Sequence, residues 1–338
     1  MPRISTSRDD APAYLIRYAN RRAAALAEPD PDPDEPGFVA RARARATDRA
    51  LAELDQLGAP PGRTEAFAFA TTSPRELQMP ESFRNRMAVT TDVRLIRHGQ
   101  TQGYISDGAL TPLGRWQAHR KGQDLAKGIK EGTTDRKQYA PPARAQETAV
   151  GVREGVLQAL SRYGIGDVTV EEPVPAEAFD NFQVWCDGKE MDVTAGFQLY
   201  ARTLEEYERS GSGDRPGWMV EMDRFYKIEA AGADPITQWL HQPMHYFEPP
   251  INVVRRHWAG IVEHARDAPA NLRVFVCGHS GPLRALASAA VGHDPGEPYN
   301  VEDVRIRVFA DLEHAIVTYR GRGVEIEIPT TVTPSWHR

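Results

Sequence analysis

The chain has 338 residues, of which 41% are hydrophobic and 26% are charged, and its formal net charge is -6 with a pI near 6.0. This is enough apolar material for one large α/β domain with additions, and the acidic balance argues against a general nucleic-acid binder. The two cysteines, Cys186 and Cys277, are too few for a disulfide framework and favour a reducing compartment.

The first ninety or so residues are predicted to form a helical extension. Helical spacing covers about 11–27 and 38–57, separated by a Pro/Asp-rich break at 28–37. The extension contains no signal-peptide stretch, and no run in the chain reaches membrane-spanning length. We therefore expect a cytoplasmic protein with no membrane contact, and nothing in the extension suggests catalysis.

The next segment predicts a buried strand that ends in Arg97, His98 and Gly99. Residues 93–96, Val-Arg-Leu-Ile, alternate and then turn apolar immediately before this triplet. In open parallel sheets, ligands bind at the carboxyl ends of the strands. The arginine and the histidine are therefore candidate ligand-binding residues.

A second apolar run, 274–277, has the same form and closes with Gly278-His279-Ser280-Gly281 before a helical pattern. If the two strands are parallel, His98 and His279 lie on the same edge of the sheet. Glycine, polar residue, glycine and helix is also a geometry that directs backbone N–H groups at an anion. Arg144 follows Pro141-Pro142 near the start of another predicted helix. Two arginines and two histidines could therefore surround one phosphate.

Shorter patterns predict the remaining strands and helices. Residues 168–170 predict a strand, and 250–267 predict a helix that leads into the apolar run at 274–277. An insertion at about 191–249 shows helical patterns near 197–210 and 218–230. The stretches 315–319 and 324–328 predict a hairpin at the edge of the sheet.

Four segments, in this order, resemble the histidine phosphatase superfamily in its phosphoglycerate-mutase-like branch: 95–101, 110–118, 141–149 and 278–281. The resemblance covers roughly 92 to 329. It implies an α/β fold, a three-layer α/β/α sandwich with a mostly parallel sheet and a helical insertion over the active site. The implied organisation is an N-terminal extension at 1–91, a catalytic domain at 92–329 and a tail at 330–338.

The resemblance also implies the roles of the site residues. His98 would be the nucleophile that carries a phosphohistidine, and His279 would act with it in the catalytic set. Arg97, Arg144, His279 and Thr101 would hold the phosphate oxygens. A neutral imidazole is a competent nucleophile near pH 7, and the implied chemistry needs neither metal nor cofactor.

The leaving oxygen needs a proton, which family members take from a carboxylic acid after the next strand. Glu177 is the favoured acid here. Asp180 competes with it, because counting back from Trp185-Cys186-Asp187-Gly188 ends nearer to Asp180. The sequence leaves this choice open.

Three departures from the family pattern bear on activity. Gly103-Tyr104 stands where an asparagine often follows, Ala140 replaces a usual serine, and 177–181 replaces the acid-bearing element of true mutases. The last departure favours hydrolysis over mutase chemistry. We expect a phosphomonoesterase acting on a small phosphorylated metabolite, in a chain that could form a homo-oligomer. The alternatives are a phosphate mutase, or a catalytically silent protein that binds a phosphorylated ligand or a partner.

His241 and His245 have a spacing that could suggest a metal site. Pro243 lies between them and interrupts a regular helix, and no acidic partner follows. The sequence therefore predicts no metal site.

Overall fold

A computed structural model describes residues 89–101, 108–210, 214–266, 268–269 and 271–336. These residues belong to Pro80–Arg338, the second of two compact units of the chain. The helices predicted at about 11–27 and 38–57 lie outside the described residues. No helix in the described part has both the length and the apolar character needed to cross a membrane.

The described residues form ten strands and seven helices. The strands are β1 Val89–Arg97, β2 Thr133–Tyr139, β3 Val168–Val170, β4 Val174–Pro175, β5 Gln183–Cys186, β6 Lys189–Asp192, β7 Leu272–Gly278, β8 Asp303–Phe309, β9 His314–Tyr319 and β10 Arg322–Glu327. The helices are α1 Pro112–Ala126, α2 Ala143–Tyr163, α3 Val193–Ser210, α4 Gly217–Ala230, α5 Pro235–His241, α6 Pro250–Arg266 and α7 Ser280–Val291. A short 3-10 turn covers Glu177–Phe179.

The central sheet has the strand order β10-β9-β8-β1-β7-β2-β3, with β4 also paired to β2. The pairs within β1, β7, β2, β3 and β4 are parallel, whereas β8, β9 and β10 add an antiparallel edge. The predicted hairpin is β9–β10, and it closes this edge. All seven residues of β7 are buried, as expected for a strand at the centre of a covered sheet.

Helices cover both faces of the sheet, which gives the predicted three-layer sandwich. On one face α1 and α2 pack together so closely that a Cβ on Gly155 would lie 2.0 Å from the carbonyl oxygen of His119. On the other face Val93 and Leu95 share a core with Trp258 of α6 and Leu283 of α7. Residues from α3, α4 and α5 extend that core, so the insertion is part of the same hydrophobic cluster.

Candidate active site

The two histidines meet where β1 and β7 end. The strands pair in parallel with Arg97 opposite Gly278, so the residue after each is a histidine. The backbone N–H of His98 donates to the carbonyl of Gly278 at 2.9 Å, and the imidazole centroids of His98 and His279 are 5.5 Å apart. Since carboxyl ends of parallel strands share one edge, this is the convergence that the sequence predicts.

The His98 ring is held in one tautomer by its neighbour. Its Nδ1 lies 2.8 Å from the carbonyl oxygen of Gly99. A carbonyl can only accept, so Nδ1 carries the hydrogen and Nε2 keeps its lone pair. Burial, together with the positive charges of Arg144 and Arg97, lowers the pKa of His98 from 6.5 to about 3. The imidazole is therefore neutral at any ordinary pH.

His279 is the N-cap residue of α7, and its side chain is buried. Its Nε2 has no hydrogen-bond partner among the described residues, which is an unusual state for a buried polar atom. Burial, and then the charge of Arg144, hold the pKa of His279 well below its usual value. At His279, the positive N-terminal end of α7 coincides with a buried imidazole whose Nε2 has no partner in the described part of the chain. This combination is suited to binding an anion.

Arg144 is the second residue of α2 and is buried. Its Nη2 donates to Oγ1 of Thr194 at 3.2 Å. Thr194 lies in the first turn of α3, so the insertion contributes a residue that contacts the pocket. The backbone N–H of Thr194 donates in turn to Asp192, which fixes the start of α3.

Arg97 is the last residue of β1, and its guanidinium contacts residues 297 and 298. Its Nη1 donates to the carbonyl of Pro298 and lies 3.0 Å from Oε1 of Glu297. The other carboxylate oxygen of Glu297 lies 3.8 Å from Arg284, a buried arginine of α7. In the same loop, Asn300 donates from Nδ2 to the carbonyl of His98 at 3.2 Å.

The loop after His98 packs tightly on the start of α1. A Cβ on Gly99 would lie 2.5 Å from the carbonyl oxygen of Gly114, and a Cβ on Gly114 would lie 2.2 Å from the carbonyl oxygen of Gln100. Only glycine, which has no side chain, therefore fits at these two positions. The N–H of Gly99 donates to Thr148 at 3.0 Å. Thr101, the remaining predicted phosphate ligand, forms a single β-bridge with Leu110 and directly precedes residues outside the described part.

The two candidate acids have different surroundings. We call 177–181 the acid loop, because it carries both. Glu177 is exposed. Asp180 is half-buried, and burial followed by the negative charge of Asp192 raises its pKa to about 6. Its carboxylate accepts hydrogen bonds from the Asn181 N–H at 2.7 Å and from the Gln183 amide at 3.1 Å.

The acid loop lies against the turn at 278–281, which follows β7. The carbonyl oxygen of Phe179 is 3.5 Å from the place where a Cβ on Gly278 would lie, and the corresponding distance from Gly281 to Asn181 is 3.8 Å. Phe179 packs edge-on against His257 of α6, a buried histidine whose pKa burial lowers to about 3. The loop that bears the acids and the turn that bears His279 are thus direct neighbours.

Sequence reasoning missed Thr194, Glu297 and Asn300, which contact Arg144, Arg97 and His98. None of them belongs to a motif, because each reaches the site from a distant part of the chain. No group of three or more His, Cys, Asp or Glu residues in the described ranges is arranged to hold a metal ion. His241 lies 3.5 Å from one carboxylate oxygen of Asp294, and the N–H of His245 donates to Glu221.

Comparison with known proteins finds likeness in structure alone. No family model and no curated protein matches the chain. Among solved structures, a mycobacterial glucosyl-3-phosphoglycerate phosphatase shares 19% identity over 70% of this chain and 100% of its own, with a TM-score of 0.41. The YhfR protein of Bacillus stearothermophilus shares 20% identity over 68% and 96%, with a TM-score of 0.41.

A further solved structure, described as mycobacterial hydrolase 1, shares 15% identity over 72% of this chain and 99% of its own, with a TM-score of 0.39.

Proposed function

We propose that this protein is a phosphomonoesterase of the histidine phosphatase type, which hydrolyses its substrate through a phosphohistidine on His98. The observation that carries the proposal is the meeting of two neutral imidazoles, the half-buried His98 and the buried His279, with two guanidinium groups at one edge of the sheet. A neutral imidazole supplies the lone pair, and the arginines supply positive charge for the phosphoryl oxygens.

In the first step, the Nε2 lone pair of His98 forms a bond to phosphorus while the bond from phosphorus to the leaving oxygen breaks. The Gly99 carbonyl supports the nucleophile, because it accepts from Nδ1 as positive charge develops on the ring. Arg97, Arg144, His279 and Thr101 are the proposed contacts for the phosphoryl oxygens. In the second step water displaces His98 from phosphorus, and inorganic phosphate leaves.

The leaving oxygen takes a proton from the acid loop. Asp180 suits this role better than Glu177, because a general acid must hold its proton near the working pH and burial raises the pKa of Asp180 to about 6. Glu177, the acid favoured by the sequence, remains the competing proposal.

We further propose that the reaction is independent of metal and that the substrate is a small phosphorylated metabolite. Guanidinium groups can neutralise phosphoryl charge without a divalent ion. Thr194 brings the insertion to the pocket, where it would contact the part of the substrate beyond the phosphate.

The test is release of phosphate from an aryl phosphate in the presence of EDTA, with the phosphoenzyme trapped by rapid quenching. His98→Ala should abolish turnover and the acid-labile phosphoenzyme while leaving the fold intact, since removal of a nucleophile costs several orders of magnitude. His293→Ala, which changes an exposed histidine outside the pocket, is the matched control. Retention of about a tenth of the activity in His98→Ala would refute the assignment, since it equals only about 1.4 kcal/mol in barrier.

Two other results would favour the alternatives. Conversion that requires a bisphosphate primer would indicate a mutase. Binding of inorganic phosphate without turnover of any ester would indicate a silent binding protein.

A further inference from the structure

Arg256 of α6 binds the backbone of the acid loop at nearly every residue. Its guanidinium donates to four carbonyl oxygens at 2.9 to 3.3 Å, those of Glu177, Ala178, Asp180 and Asn181. Hydrogen bonds from a charged donor are stronger than neutral ones. One side chain therefore holds the conformation of the segment that carries both candidate acids.

Glu248 holds this guanidinium from the other side. Its carboxylate accepts from Nη2 of Arg256 at 3.0 Å and from Nε at 3.4 Å. Glu248 is only 3% exposed, and it also accepts the backbone N–H of Gln183 at 3.0 Å. The pair thus joins α6 to both the acid loop and the start of β5.

The contacts use the donor geometry that distinguishes arginine from lysine. A guanidinium offers five N–H donors in a rigid plane, whereas an ammonium offers three from a single atom. No lysine could reach four carbonyls and a carboxylate at once. The arrangement also lies outside the histidine and arginine residues that would touch the phosphoryl group.

We infer that Arg256, held by Glu248, is a positioning residue that places the Asp180 carboxyl group for proton donation to the leaving oxygen. The inference rests on the proposed function and deepens it. It predicts that loss of Arg256 impairs proton donation while leaving the attack by His98 almost unchanged.

The charge of Arg256 has a second effect on the same acid. Among the groups that face Asp180, Asp192 of β6 raises its pKa, while Arg256 and the hydrogen bonds from Asn181 and Gln183 lower it. Removal of the guanidinium therefore raises the pKa of Asp180 further. Since the acid works in its protonated form, the activity limb that falls with rising pH should move to higher pH.

The experiment compares Arg256→Met with wild-type enzyme on two esters, one with an alkyl and one with an aryl leaving group. An alkoxide needs protonation far more than a nitrophenolate does. We expect kcat for the alkyl ester to fall by about tenfold or more, with less than about a threefold change for the aryl ester. Arg266→Met, an exposed arginine on the same helix, is the matched control and should change neither.

Two further variants keep the test decisive. Arg256→Met leaves the buried Glu248 carboxylate without its arginine, so the double variant Arg256→Met/Glu248→Gln removes that charge and maintains folding. Arg256→Lys keeps the positive charge but not the planar set of N–H donors. It should restore the wild-type pH profile without restoring turnover of the alkyl ester.

An equal loss on both esters in folded protein, or no loss on either, would overturn the inference. Normal aryl turnover and normal phosphoenzyme in the variants show that the His98 pocket is intact. Wild-type protein that releases phosphate from neither ester would overturn the proposed function, and the inference with it.

Discussion

The protonation state of His98 gives the sharpest test of the site. An ordinary histidine with a pKa of 6.5 is only about 3% neutral at pH 5, whereas one with a pKa of about 3 is about 99% neutral. The shift corresponds to roughly 5 kcal/mol between the two protonation states, which arises mainly from burial and then from Arg144 and Arg97. Acidification from pH 7.5 to 5 should therefore leave the His98 imidazole unprotonated.

The assay is an NMR titration of protein labelled at histidine nitrogens, with His98→Gln used to assign the resonance. His314, whose pKa is raised by its hydrogen bond to Asp311, should titrate above 6.5 in the same spectra and serves as an internal control. In parallel, kcat/KM for an aryl phosphate is measured over this range and corrected for ionisation of the substrate. Neither measurement should show an inflection from His98.

An inflection of the His98 resonance near pH 6.5 would refute the reasoning. A fall in the corrected kcat/KM of about thirtyfold by pH 5 would do the same, because that is the loss expected for an unperturbed imidazole.

Four further substitutions make three predictions about other parts of the molecule. Asp180→Asn should slow alkyl phosphates by about a hundredfold and aryl phosphates far less, while Glu177→Gln should alter neither; the reverse pattern would exchange their roles. Glu297→Gln frees the guanidinium of Arg97, so vanadate inhibition should weaken about fivefold and KM should rise more than kcat falls; unchanged inhibition would contradict the contact. His257→Gln should flatten the pH dependence of stability. Its folded pKa, about 3, lies below the unfolded 6.5, so the unfolded chain binds the extra proton and wild-type protein loses stability as pH falls below 6.5. Between pH 7 and pH 5, the free energy of unfolding measured with urea should fall by about 2 kcal/mol less in the variant than in wild-type protein. An equal fall in both proteins would contradict this prediction.

The elements that the sequence predicts well are those whose signal is local. β7 contains a continuous apolar run and β1 ends in an alternating run that becomes apolar at Leu95-Ile96, and each is followed by a glycine-bearing motif, so both strands and their shared edge could be inferred. The helical patterns in the insertion correspond to α3 and α4 for the same reason, because apolar residues recur along one face.

β2 shows why a central strand can escape notice. Residues 133–139 read Thr-Thr-Asp-Arg-Lys-Gln-Tyr, which looks like an exposed segment. Asp135 and Lys137 are nevertheless buried, and they form an ion pair on the same face of the strand. Each charge is compensated by its neighbour two residues away, so hydropathy cannot reveal the burial.

The sequence also predicts the turn of the β5–β6 hairpin. Asp187 and Gly188 both adopt positive φ, at 50° and 74°, which the Asp-Gly pair of a type I′ turn favours. The role of Arg256 could not be predicted in this way, because its partners in the acid loop are backbone carbonyls. Every residue has a carbonyl, so the sequence does not indicate which ones an arginine will contact. That contact becomes visible only once the chain is folded.

The hydrogen bond from Asn300 to the carbonyl of His98 joins residues 202 positions apart in the chain. The entropy cost of closing so long a loop must be met before its contacts can stabilise the fold, and chains rich in such long-range contacts fold slowly. During synthesis, His98 emerges long before the loop that contacts it. We therefore expect assembly of the proposed site to be a late event in the folding of this chain, so that any turnover regained during refolding should report on completion of the central sheet rather than on formation of individual helices.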